Sequence, residues 1–168
     1  MLPSIKKILY ATDLSESSRH VIRYAVSLGR THQAEVSVLT VLPDVMEDMS
    51  EAAGLDLEAH FGVQAVASFR DTALARTRQE LQRRIEETAQ AVAVETPGEP
   101  LFAPTLLVEQ GDPATRILEL SEGYDVVVMG THGKGGLLGR LLGSVAERVI
   151  RHSRVPVLVV RLPEPAGE

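Results

Sequence analysis

Glycine stands at positions 130, 133, 135, 136, 139 and 143 within one stretch, 126–160, that begins and ends in apolar runs. With no Cβ, a loop this rich in glycine can turn tightly and bring backbone N–H groups against a ligand. Ser144 follows directly and opens a short helical pattern, whose N-terminus offers unpaired donors and partial positive charge. Strand, glycine loop, helix and strand is the layout of an anion site, and the phosphates of a nucleotide suit it. Asp13, just after the first apolar run, is a second candidate. A carboxylate there can accept from ribose hydroxyls, as acidic residues do beside dinucleotide-binding strands. Each residue also has a plainer reading. Ser144-Val145-Ala146-Glu147 has the form of a capping box, in which Ser144 caps its own helix. An Asp after a strand commonly makes a turn. His132, Lys134 and Arg140 are loop residues that can reach phosphate oxygens or stay in water.

These residues need elements to position them, and the hydrophobic pattern supplies a set. Residues 5–11 read as a first strand ending in Thr12-Asp13. A helix follows with Ser15 as N-cap, an apolar face at Val21, Ile22, Ala25 and Val26, and Gly29 as its stop. Glu35–Leu42 is a second strand closed by Pro43. The 44–62 stretch sets Met46, Met49, Leu55, Leu57 and Phe61 among acids, and reads as a mobile excursion with one short helix. Val63–Glu95 is a long amphipathic helix with an inner face of Val66, Phe69, Ala73, Leu81, Ile85, Ala89 and Val92. Glu80–Arg84 and Arg83–Glu87 on it are spaced for exposed ion pairs. Thr105–Gln110 is a third strand, and Asp112-Pro113 is an N-cap and first residue of a helix through Leu120. Residues 126–129 and Val157–Val160 are the last two strands, and 162–168 is a frayed tail. Five strands alternating with four helices describe one domain built on an open parallel α/β sheet.

Composition narrows the function. The chain has 168 residues, 44% hydrophobic and 24% charged, ordinary values for a globular domain. A net charge of −6 argues against nucleic acid, whose binding rests on clustered Lys and Arg. There is no Cys, so disulfides and thiolate chemistry are excluded, and the five His are scattered rather than set at metal-ligand spacing. No signal-peptide pattern opens the chain, and no run approaches the ~18 apolar residues of a spanning helix, so the expected location is cytoplasmic.

Two common phosphate loops fail on spacing. A Walker A loop needs Gly-Lys-Ser/Thr, but Gly133-Lys134 is followed by Gly135, and Val128 stands where its first Gly belongs. The dinucleotide fingerprint needs a third Gly where Leu138 stands. What is present is Gly130-x-x-Gly133, nine residues, then Gly143-Ser144. That spacing resembles the ATP-binding signature of the universal stress protein family. The segments THGKGGL and LLGSVAERVIRHSRVPVLVVR are similar to the C-terminal part of that family, and KKILYATDLSESS to its first strand and following Asp. The resemblance covers nearly the whole chain apart from 44–62.

The resemblance implies a Rossmann-like sheet of order 3-2-1-4-5 with helices on both faces and a nucleotide crevice between strands 1 and 4. It implies ATP as ligand, with accompanying magnesium left open. Gly130, Gly133 and Gly143 would wrap the triphosphate, with Ser144 and the Val145 N–H as donors. Asp13 would lie at ribose and adenine, and Ala11, Thr12 and Val41 would line the adenine pocket. His132 and Lys134 stand in the loop as candidate phosphate contacts, with a solvated loop charge as the alternative. The family also pairs through its last strand, and a bare apolar edge invites such pairing, so a homodimer through Val157–Val160 is expected.

The function this implies is that of an ATP-binding regulatory module of the stress response. The alternative is a slow ATP-hydrolysing or group-transferring enzyme on the same fold. Phosphoryl transfer needs a placed base, a metal and a charge clamp. The sequence offers Asp13 and Lys134 without a metal-binding carboxylate in the loop, so the module is favoured and no catalytic residue is assigned.

Overall fold

The computed structural model describes residues 2–54, 56–131 and 142–161. Five strands form one sheet: β1 Lys7–Ala11, β2 Glu35–Leu42, β3 Thr105–Gln110, β4 Val126–Gly130 and β5 Val157–Val160. The helices among the described residues are α1 Ser18–His32, α2 Val45–Ala53, α3 Leu57–Phe61, α4 Val63–Glu95, α5 Pro113–Ser121 and α6 Ser144–His152. Every strand pair is parallel, and the order is β3-β2-β1-β4-β5, the order that the resemblance implies.

The central strands are apolar throughout because helices cover both of their faces. Alternate residues of β1 serve two cores. Ile8 and Tyr10 pack with Val21, Ile22 and Val26 of α1 and with Leu81 and Ile85 of α4. Leu9 and Ala11 pack with Ala114 and Ile117 of α5 and with Ala146 and Val149 of α6. The chain therefore winds one way through β1, β2 and β3 and the other way through β4 and β5. Where the direction reverses, between β1 and β4, helices leave on opposite faces and a crevice opens at the C-terminal ends of the strands. At the opposite end the two strands are pinned by Asp125, whose Oδ2 accepts from the backbone N–H groups of Lys6 (2.7 Å) and Lys7 (2.8 Å).

Several expected boundaries move. The first strand begins at Lys7 rather than at residue 5. The first helix has Ser17, not Ser15, at its N-cap, and runs past Gly29 to His32, ending on Gln33 in a left-handed conformation (φ 50°). Gly29 is a close-approach residue: a Cβ there would lie 2.7 Å from Cγ2 of Val36 on β2. The 44–62 stretch carries two helices, α2 and α3, where one was expected. On α4 the expected inner face is correct at Val66, Leu81, Ile85 and Val92, but Phe69 is 57% exposed. The sheet-facing core takes α4 only from Leu81 onward, whereas its first turns meet α3. Both expected α4 ion pairs form: Glu80 with Arg84 at 2.7 Å, and Arg83 with Glu87. Asp112 caps α5 as expected, accepting from the Thr115 N–H at 3.0 Å.

Candidate functional site

A cavity of about 520 Å³ fills the crevice at the C-terminal ends of β1, β2 and β4. Its walls come from separate parts of the chain. Residues 10–15 supply one wall and 39–43 at the end of β2 another. Met129, Gly130 and Thr131 form the β4 side, and 142–146 bring in the start of α6. Pro113 and Ile117 of α5 and Thr77 of α4 complete it. Volume and mixed apolar and polar lining are those of a small-molecule site.

Eight residues expected at the site lie in described segments, and all eight line this one cavity: Ala11, Thr12, Asp13, Val41, Gly130, Gly143, Ser144 and Val145. His132, Gly133 and Lys134, together with Arg140, lie outside the described residues.

The β1 wall is a tight, internally bonded turn. Asp13 Oδ1 accepts from the Ser15 N–H at 3.0 Å, so the turn reading of Asp13 is realised. A carboxylate has about four acceptor positions, so this bond is compatible with accepting from a ligand as well. Between them Leu14 is buried with φ 59°, a left-handed conformation that few non-glycine residues adopt. It is held there by its N–H donating to Thr12 Oγ1 at 3.1 Å. Arg84 reaches over from α4 and donates to the Ser15 carbonyl at 3.2 Å. Below the turn the buried Tyr10 hydroxyl donates to the Ser18 carbonyl at 3.0 Å, and burial pushes its pKa up to about 12, keeping it a neutral donor.

The opposite wall is a helix N-terminus. After the glycine-rich segment the chain returns to β4, where the Gly143 N–H donates to the Thr131 carbonyl at 2.6 Å. This contact makes Gly143, not Ser144, the N-cap of α6, and no side chain caps the helix. The capping-box reading of Ser144 is therefore corrected. Ser144 is the first helical residue, one place too far along for its hydroxyl to serve the cap position. The first N–H groups of a helix lack intrahelical partners, so this end of the cavity has donors and partial positive charge with no side-chain cap on them; the one acid of the first turn, Glu147, is paired with Arg151 at 2.7 Å. The helix is braced from outside: Arg148 on α6 pairs with Asp112, the α5 cap, at 2.9 Å. The Asp112 carboxyl is held below its usual range, first by the Thr115 hydroxyl and with a contribution from Arg148.

Two features of the site lie outside the sequence reading. One is Arg84, whose i,i+4 pairing with Glu80 was legible but whose reach to Ser15 was not. The other is Thr40 on β2, a cavity-lining residue buried at 4% exposure, whose hydroxyl is shut off from solvent without a hydrogen-bond partner. The only signal was a lone hydroxyl in the otherwise apolar run VLTVL. Among the described residues no cluster of three or more His, Asp or Glu could hold a metal ion.

The chain can now be placed among known proteins. The model of the universal stress protein family matches residues 4–161. Universal stress protein MJ0531 of Methanocaldococcus jannaschii is 34% identical over 161 residues, covering 95% of this chain and 84% of that protein. MJ0577 of the same organism is 30% identical over 165 residues, covering 93% and 94%. Among solved structures, that of hypothetical protein MJ0577 superposes with a TM-score of 0.70 at 27% identity, covering 97% of this chain and all (100%) of the other. A universal stress protein in complex with cAMP superposes with a TM-score of 0.55 at 19% identity, covering 96% and 100%.

Proposed function

The chain belongs to the universal stress protein family, and from that premise we propose that it is an ATP-binding member acting as a nucleotide-dependent regulatory module in the stress response. The observation that carries the reading is the shape of one cavity. An acid-bearing turn after β1 stands on one side and an uncapped helix N-terminus on the other. That arrangement suits a molecule with hydroxyls at one point and several phosphate charges at another. A solved relative holds cAMP; at 19% identity that likeness speaks for the fold, so the nucleotide reading rests on the residues of this crevice.

In this reading the triphosphate lies at the start of α6, with the N–H groups of Ser144 and Val145 and the Ser144 hydroxyl as donors. Gly130 and Gly143 let backbone approach the ligand. Asp13 accepts from ribose, while Ala11, Thr12 and Val41 face the base. Gly133 is assigned to phosphate on the family's glycine spacing, and His132 and Lys134 on their side-chain chemistry and place in the same loop. Magnesium would enter with the triphosphate, held chiefly by phosphate oxygens.

The same reading makes the protein a cytoplasmic homodimer. No helix among the described residues is long and apolar enough to cross a membrane. β5 ends the sheet with one edge unpaired among the described strands and with Val157, Leu158 and Val159 half-buried, the kind of edge that a second copy can cover. A monomer by light scattering at micromolar concentration would remove the dimer.

Isothermal titration with ATP tests the central claim. Wild type should bind, and Asp13→Ala should weaken binding at least tenfold, about 1.4 kcal/mol, as expected for loss of a charge-assisted hydrogen bond. No heat from wild type would sink the reading. ATP turnover well above background, abolished in Asp13→Ala while ATP still bound, would instead favour the enzyme.

A further inference from the structure

Two anchors fix which way the long helix α4 faces. Near its start, Arg70 pairs at 3.3 Å with Asp44, the residue after the cavity-lining Pro43 at the end of β2. Farther along, Arg84 donates at 3.2 Å to the carbonyl of Ser15, in the turn after β1. Seven residues make close to two full turns, so Arg70, Thr77 and Arg84 lie in one row along the helix. Thr77 therefore points toward the crevice, about 10 Å along the helix axis from each anchor. It is half-buried, and among the residues that line the cavity it is the one that α4 supplies.

The facing wall at this end of the cavity belongs to α5. The face of β2 that carries Val36 and Val38 packs with α4, and the face that carries Leu39 packs with α5. At the C-terminal end of β2 the two helices thus stand on opposite sides of the strand, α4 with Thr77 and α5 with Pro113 and Ile117. The start of α6, where phosphate would lie, is on the β4 side, two strand spacings or about 10 Å away. Asp13, after β1, stands between. A ligand laid from α6 past Asp13 therefore ends over Val41, Leu42 and Pro43, with α4 on one side and α5 on the other. A slot of that form suits a flat, largely apolar body, and a free phosphate would not reach it.

We infer that the nucleobase lies in this slot between Thr77 and Pro113, so that the side chain at position 77 sets the width of the slot and makes this residue a determinant of base binding. The inference rests on the ATP reading given above. Threonine is short enough to leave the slot open, whereas a longer side chain in the same row of α4 would occupy it.

The test compares wild type with Thr77→Leu, Thr77→Ala and Gln79→Leu in nucleotide titration and thermal unfolding. Gln79 is exposed and lies about 200° around the helix from Thr77, so it carries the same added leucine on the outer face. Without nucleotide, Thr77→Leu should melt at or above the wild-type temperature, because its side chain enters open space and Leu is the better helix former. Its Kd for ATP should nevertheless rise about tenfold or more, while Thr77→Ala and Gln79→Leu stay within about threefold of wild type. Inorganic triphosphate, which carries no base, should bind wild type and Thr77→Leu alike. A lower melting temperature of empty Thr77→Leu overturns the inference, since position 77 would then pack against protein. So does a loss of ATP affinity equalled in Thr77→Ala or Gln79→Leu, or equalled by inorganic triphosphate. Wild type that binds no ATP overturns the ATP reading and this inference together, whereas equal ATP binding by wild type and Thr77→Leu overturns this inference alone.

Discussion

Arg84 on α4 donates to the backbone carbonyl of Ser15, sixty-nine residues earlier in the chain, at 3.2 Å. Ser15 is the residue whose N–H binds Asp13, so the long helix braces the turn that presents the candidate ribose-binding acid. The same guanidinium pairs with Glu80 at 2.7 Å and Glu16 at 3.1 Å. Its side chain is only 15% exposed, whereas that of Glu16 is 77% exposed. The Glu16 pair is therefore well screened, and the carbonyl bond is the stronger contribution.

Arg84→Met keeps most of the side-chain stem and removes the donor. It should lower stability by about 1–2 kcal/mol in urea unfolding and weaken ATP binding several-fold through a looser Asp13. Glu16→Gln should cost less than about 0.5 kcal/mol and leave ATP binding alone. Equal effects of the two substitutions would mean that the carbonyl bond does not matter.

Gly29→Ala should destabilise the protein although it replaces Gly inside a helix. Propensity favours Ala by about 1 kcal/mol, but its Cβ would lie 2.7 Å from Val36 Cγ2, and overpacking typically costs about 1–3 kcal/mol. Combining it with Val36→Ala removes the opposing methyl groups. The double variant should be more stable than the sum of the single effects predicts, measurable as a non-additive shift in the unfolding midpoint.

These two residues show what was legible in the sequence. The central strand Val126–Gly130 and the edge strand Val157–Val160 announce themselves because strands covered on both faces are apolar runs rich in β-branched residues. The resemblance carried by the glycine spacing then supplied the strand order. Signals belonging to one residue fared worse where packing competed. Gly29 resembles a helix stop, yet it is where α1 passes close to β2. Phe69 has helical spacing for an inner face, but the sheet-facing core begins farther along α4, at Leu81. Ser144 carries a capping-box pattern that Gly143 pre-empts by bonding to Thr131. The left-handed Leu14, the reach of Arg84 and the unpaired Thr40 hydroxyl depend on segments brought together from far apart, and local pattern does not encode them.

Stability should fall on both sides of neutrality for identifiable reasons. Glu80 is held down at about 2 by hydrogen bonds from Arg83 and then Arg84, and Asp125 is held below its usual range first by the Lys6 N–H and then by the Lys7 N–H. Both contributions are present above the ordinary carboxylate pKa; that of Glu80 is lost as pH falls from about 4.5 toward about 2, and that of Asp125 is lost as pH falls below its ordinary carboxylate range. Asp125→Ala should therefore be less stable than wild type at pH 7 and should approach it in acid. Tyr10 acts in the opposite sense. Its pKa rises from 10.0 to about 12, so its contribution is complete below pH 10 and disappears as pH climbs through 12. That amounts to about 2–3 kcal/mol at most. Urea midpoints across pH for wild type, Asp125→Ala and Tyr10→Phe check both limbs, and Tyr10→Phe should flatten the alkaline one.

Ser144→Ala separates helix capping from ligand binding at a single atom. Were Ser144 the N-cap, losing its hydroxyl would cost about 1 kcal/mol of stability whether or not nucleotide is present. Because Gly143 holds the cap and Ser144 is an exposed first-turn residue, the change without ligand should be within about 0.5 kcal/mol, as for an ordinary surface substitution. ATP affinity should nevertheless fall about three- to tenfold, since only the bound state uses the hydroxyl. Thermal melts with and without saturating ATP read both quantities from one protein preparation. The melting temperature without ATP should match wild type, and the ATP-induced rise should shrink. The reverse pattern, a lower melting point with an undiminished ATP-induced rise, would return Ser144 to a capping role and leave the triphosphate to the backbone donors of α6.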